Sequence, residues 1–228
     1  MLKKIILLAF LLACQNPEAE LAQAKKLLEN GQTDQALVLL KKHPKNDQAL
    51  NITGIAYLEM GKAQESLTFF NEAIKLNNQE YKFFYNRGNA YMSLQQPQEA
   101  LSDYQKAAEL ENSNADLYLN QGAAFFALNR LKEALAALNK AAQLSPENKN
   151  VFFNRGKTYI LLEEYQKAVD DLHKAVHLDE NFAKAHYFLA SAEILLHEKS
   201  SPETCQHFQK ALDLGYQEAQ AELKKHCN

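Results

Sequence analysis

Few side chains in this sequence are spaced for catalysis, and each such group lacks a partner that its chemistry needs. Gly156-Lys157-Thr158 has the residue types that close a phosphate-binding loop, but that loop requires a glycine five residues earlier, where Val151 stands. His173 and His177 are four apart, so they share a helix face at metal-ligand spacing, yet no third ligand stands at a fixed offset from them. An accessory metal-dependent enzyme built on this pair is therefore a rival reading with an incomplete site. No Gly-x-Ser-x-Gly nucleophile motif and no convincing carboxylate pair is present. The expectation is a protein that is not an enzyme, with no catalytic, cofactor or metal residues. Asn51-Ile52-Thr53 fits a glycosylation sequon and is read as incidental.

Gly156 belongs instead to a period. Gly54, Gly88, Gly122, Gly156 and Ala190 place a small residue at every thirty-fourth position, without insertion or deletion. With Tyr81 as position 1 of a block, position 4 reads Leu50, Phe84, Tyr118, Phe152 and His186, and position 11 reads Tyr57, Tyr91, Phe125, Tyr159 and Glu193. Positions 20, 24 and 27 alternate small, large and small, as in Ala100, Tyr104 and Ala107. Residues at 4, 8 and 11 share one helical face, as do those at 20, 24 and 27, so each block predicts two amphipathic helices. No such pair buries its apolar face alone, and stacking of neighbours must supply the core.

Phe84, Gly88, Tyr91, Ala100, Tyr104 and Ala107 make the pattern similar to the tetratricopeptide repeat (TPR). The resemblance covers roughly residues 47–214 and implies an all-α fold, a right-handed TPR superhelical solenoid of helix-turn-helix repeats. The expected organisation is a lipoprotein-type signal peptide at 1–13, a tether at 14–18 and a degenerate N-terminal repeat at 17–46. Full repeats follow at 47–80, 81–114, 115–148 and 149–182, with a C-terminal repeat and capping helix at 183–228. Gly61 and Asn129 at position 15 suit a left-handed residue that ends the first helix. Gln95 and Glu163 occupy the same position without that signal, and their turns are expected to differ. Ser201 and Pro202 read as the cap and first residue of a helix.

In the family, positions 2, 5, 9 and 12 of each first helix line a concave groove. The resemblance thus implies a protein or peptide partner held by Tyr85, Asn89, Asn120, Phe126, Phe153, Lys157 and Tyr187. The expected ligand is an extended or helical segment with Tyr85, Phe126, Phe153 and Tyr187 as apolar anchors. Asn86, Asn120 and Asn154, at position 6, can donate and accept, and so can pair with a peptide backbone. A family mode that clamps a terminal carboxylate with Lys and Arg is disfavoured by the Tyr85, Asn89, Asn120, Asn150 and Asn154 set. Phe69 and Phe83, at positions 23 and 3, are the candidates for a face through which copies would form a homo-oligomer.

The chain has 228 residues, 46% of them apolar, ten Tyr and twelve Phe, with few Gly and Pro, which supports a sizeable folded core. Its formal net charge is −3, and loss of Lys3 and Lys4 with a leader lowers it to −5. That balance gives no electrostatic case for nucleic acid.

Lys3 and Lys4 precede an apolar run from Ile5 to Leu12, the length of a signal-peptide core and too short for a bilayer, which takes about 20 residues. The run ends at Leu11-Leu12-Ala13-Cys14, which resembles the bacterial lipobox and implies lipidation of Cys14, a membrane anchor. By the family rule, Gln15 rather than Asp after the cysteine implies the bacterial outer membrane, facing the periplasm. Lipidation of Cys14 leaves Cys205 and Cys227 as an even pair in an oxidising space, a candidate disulfide closing the C-terminal end. The function expected is a lipid-anchored scaffold for protein–protein interaction. Its alternative is an assembly factor or chaperone-like escort for an outer-membrane, pilus or secretion subunit.

Overall fold

The computed structural model describes residues 16–227. The leader, the lipidation candidate Cys14 and Gln15 lie outside the described residues. Within them the chain is helical throughout, with two compact units divided after Glu111.

The first unit holds α1 (Pro17–Glu29), α2 (Thr33–Leu40), α3 (Asp47–Glu59), α4 (Ala63–Leu76), α5 (Tyr81–Ser93) and α6 (Pro97–Leu110). The second holds α7 (Ala115–Ala127), α8 (Leu131–Leu144), α9 (Lys149–Leu161), α10 (Tyr165–Leu178), α11 (Ala183–His197), α12 (Pro202–Asp213) and α13 (Ala219–His226). The starts of α3, α5, α7, α9 and α11 reproduce the sequence period. Asn16 caps α1 by accepting from the Glu18 amide, so the helix begins at Pro17, inside the stretch expected as tether. Asn46, Asn114 and Asn148 cap α3, α7 and α9 in the same way.

The small residue at position 8 lets two helices touch. A Cβ on Gly88 would lie 2.6 Å from the Tyr104 ring, and one on Gly156 would lie 2.7 Å from Leu172. Gly54 meets Phe70 and Gly122 meets Leu138 in the same manner, pairing position 8 with position 24 in every full block. This contact fixes the packing of each hairpin, because overfilling a close-packed core forces backbone shifts.

Two expectations are corrected. Gln95 (φ 58°) and Glu163 (φ 59°) adopt the same left-handed conformation as Gly61 (φ 74°) and Asn129 (φ 57°). In each turn the following amide bonds back to the position-11 carbonyl, as Glu164 does to Tyr159 at 3.0 Å and Gln96 to Tyr91 at 2.9 Å. The hairpin contact dictates the turn, and the residue type follows at a cost. Phe83 is fully buried, so it cannot serve an exposed oligomer face. Position 3 is a core position throughout, with Ala49, Phe83, Leu117, Val151 and Ala185 all buried. The reason is that a first helix packs on two sides: α5 touches both α4 and α6, and α9 touches both α8 and α10. Phe69 is half-buried and stacks on Tyr57, with centroids 4.9 Å apart.

A polar staple recurs two blocks apart. Arg87 donates to Asp103 through Nε at 2.8 Å and Nη2 at 2.6 Å, and to Asn71 at 2.7 Å. Arg155 repeats this with Asp171 at 2.6 and 2.7 Å and with Asn139 at 2.9 Å. At the C-terminal end, Ser201 caps α12 with Pro202 at its first position, and α13 begins three residues after Tyr216. Cys205 and Cys227 form a disulfide with Cα atoms 5.8 Å apart, tying α12 to the residue after α13.

Candidate functional site

In the second unit α7, α9 and α11, the first helices of three successive repeats, lie side by side. Lys157, at position 9 of α9, points along this face. Its ammonium lies 4.9 Å from the Phe126 ring centroid on α7, and 5.4 Å from those of Phe153 on α9 and Phe188 on α11. Burial, and then the charge of Lys184, pull Lys157 below the ordinary lysine range. Among the described residues no carboxylate pairs with it. The result is a half-buried cation held by ring faces, where cation–π attraction replaces part of the lost hydration.

The three rings differ in role. Phe153 is 8% exposed and packs against Phe182 at 4.8 Å and Phe188 at 5.6 Å, so it forms the floor. Phe126 and Phe188 are half-buried and form the walls. Tyr187 touches Phe188 of this cluster at 5.3 Å and also packs on the C-terminal segment, at 5.7 Å from Phe208 and 5.0 Å from Tyr216. Lys184 stands at position 2, a groove position of the repeat, whereas Phe188 was not singled out from the sequence. Phe188 stands at position 6, where the three preceding blocks carry asparagine, and that break in the pattern was the available signal.

In the first unit, Tyr85 tilts over Tyr104 at 6.1 Å, and the buried Tyr104 hydroxyl donates to Asn89 at 2.8 Å. Burial pushes the Tyr104 phenol well above its usual range, so it stays a donor. Asn86 donates to Asn51 at 2.9 Å, and in the second unit Asn154 donates to the Asn150 carbonyl at 2.9 Å. One amide hydrogen of each is thus engaged within the fold rather than offered to a peptide. Asn120 is half-buried on α7.

The other candidate chemistry does not assemble. His173 faces Glu193 at 3.7 Å and His207 at 6.0 Å between centroids, while His177 is exposed. Among the described residues no group of three His, Cys, Asp or Glu has the geometry to hold a metal ion, and no helix is long and apolar enough to cross a membrane.

Family models of tetratricopeptide repeats match residues 21–81, 81–114, 122–163 and 150–182. No curated protein matches the chain. Among solved structures, MamA from Desulfovibrio magneticus RS-1 is similar at TM-score 0.65 and 21% identity, covering 74% of this chain and 97% of that one. YrrB, described as a TPR protein with an unusual peptide-binding site, has TM-score 0.65 and 19% identity over 81% of this chain and 95% of its own. PilF of Pseudomonas aeruginosa has TM-score 0.66 and 20% identity over 78% of this chain and 90% of its own. At these identities the likeness is one of fold. The chain is built of tetratricopeptide repeats, recognised across residues 21–114 and 122–182.

Proposed function

We propose that this chain is a scaffold that holds a protein or peptide segment on the first-helix face of its second unit, with Lys157 at the centre of the contact. One observation carries the reading: a half-buried ammonium among Phe126, Phe153 and Phe188, seconded by Lys184. A carboxylate arriving there regains the charge pairing that the desolvated ammonium lacks, and an adjoining apolar side chain covers the Phe126 and Phe188 walls. The ligand class is therefore a segment with Asp or Glu next to Leu, Ile or Phe. This adds a charged contact to the expected apolar anchors, because spacing alone did not show the lysine surrounded by rings.

The repeat fold supports a protein or peptide partner. We further infer that Cys14 carries a lipid anchor and that the protein sits at a bacterial outer membrane facing the periplasm. The Lys3-Lys4 and Leu11-Leu12-Ala13-Cys14 pattern supports this. Palmitate labelling of the full-length chain tests it: label incorporated by the natural sequence and absent from Cys14→Ser is expected, and equal labelling of both would contradict it.

The groove itself is tested by fluorescence anisotropy with a decapeptide carrying Glu between Leu and Phe, against the same peptide with Gln. Tighter binding of the Glu peptide, by roughly tenfold or more for one desolvated charge-assisted contact, is expected. Equal binding of the two would remove Lys157 from the recognition.

A further inference from the structure

Away from Lys157, α10, α11 and α12 bring three histidines together. His186 and His207 face each other with Nδ1 atoms 2.9 Å apart, and His173 lies edge-on to His207 at 6.0 Å between centroids. His186 Nε2 stands 3.1 Å from the Glu180 carbonyl oxygen. That oxygen can only accept, so the neutral His186 ring carries its hydrogen on Nε2 and a lone pair on Nδ1. His207 must then donate from Nδ1.

Charged groups on α11, α12 and the turn before α11 flank the pair. Asp179 and Glu180 favour a charge on His186, while Lys210 of α12 opposes it. Glu193 of α11 favours a charge on His207, and His186 and His173 oppose it. Glu193 is itself engaged, accepting from the Thr204 hydroxyl at 2.8 Å. Burial is the largest effect on both rings and holds each below the ordinary histidine value.

We propose that His186 and His207 form a pH-sensitive latch that holds α12 and α13 on α11 while at least one ring is neutral and loosens them when both are protonated. A first proton, taken at His207 Nε2, leaves the hydrogen bond from His207 Nδ1 to His186 Nδ1 intact. A second sets Nδ1–H against Nδ1–H and puts two cations in contact. Because the fold favours the neutral rings, the stabilisation is complete above the unfolded-state value of about 6.5 and is lost as pH falls below it. Tyr187 packs on Phe208 and Tyr216, so loosening uncovers it at the end of the first-helix face. The latch does not depend on what Lys157 binds.

Hydrogen exchange of the full chain with its disulfide intact, at about pH 7.5 and about pH 5.5 and corrected for intrinsic rates, tests the proposal. Residues 202–226 should lose roughly tenfold protection at the lower pH, while residues 149–161 keep theirs. In His207→Gln that loss should largely disappear. Equal protection at both pH values in the unchanged chain, or the full loss persisting in His207→Gln, would overturn the latch. Should the variant not fold, nuclear magnetic resonance titration of the unchanged chain decides. The second of the two ring protonations falling below about 6.5 supports the latch, and both being complete at or above that value contradicts it.

Discussion

Arg155 grips Asp171, sixteen residues further on, through two hydrogen bonds of 2.6 and 2.7 Å, while its third nitrogen reaches Asn139. The pair links the two helices of one repeat, and Asn139 brings in the second helix of the preceding one. The same guanidinium lies 5.4 Å from the Phe152 ring. Losing one partner strands a charge that is largely withdrawn from water, with 19% of Arg155 and 10% of Asp171 side-chain surface left accessible. Asp171→Ala should therefore cost about 3 kcal/mol in urea denaturation, the low end for breaking a buried pair. Replacing both partners, as Arg155→Met with Asp171→Leu, should cost clearly less. A double variant as damaged as the single one would show that the pair stabilises rather than merely compensates.

Glu163 and Gln95 hold left-handed backbone that glycine occupies in the corresponding turn at Gly61. Glu163→Gly relieves about 1–2 kcal/mol of steric strain and adds about 0.4–1 kcal/mol of unfolded-chain entropy. A net gain of about 0.5–1 kcal/mol is expected, read as a higher urea midpoint at unchanged slope. A lower midpoint would mean that the Glu163 side chain makes a contribution larger than the strain.

The repeat period and the helix pairs were legible in the sequence because small and large residues alternate there without interruption, whereas the pairing of position 8 with position 24 needed the packing. Phe83 was not, since Tyr81, Phe83, Phe84 and Tyr85 crowd one helix with aromatics, and periodicity alone cannot say which face is buried when a helix packs on two neighbours. The Arg155–Asp171 staple was hidden for another reason. Opposite charges occur in every block, and only the joint recurrence of Asn71, Arg87 and Asp103 as Asn139, Arg155 and Asp171 marks these. At the site, Lys157 was legible as a groove residue, but its three rings come from different repeats, so their convergence needed the packing.

The Cys205–Cys227 bridge closes a separation of 22 residues. On the chain-entropy account a loop of that size contributes about 3 kcal/mol. Cys227→Ser should lower the protection of α13 amides against hydrogen exchange without altering α3 to α6. Unchanged protection of α13 would show that Ala219 and its core neighbours hold the helix unaided.

The most direct test of the Lys157 assignment separates binding from stability at that residue. Lys157→Met keeps a flexible apolar stem against Phe126, Phe153 and Phe188 and removes only the charge, and a desolvated cation adds little to the fold. Isothermal titration with the Glu-bearing decapeptide, beside a urea denaturation of the same sample, gives both quantities. The account predicts stability within about 1 kcal/mol of the natural chain and peptide affinity weaker by roughly tenfold or more. Undiminished affinity in Lys157→Met would contradict it.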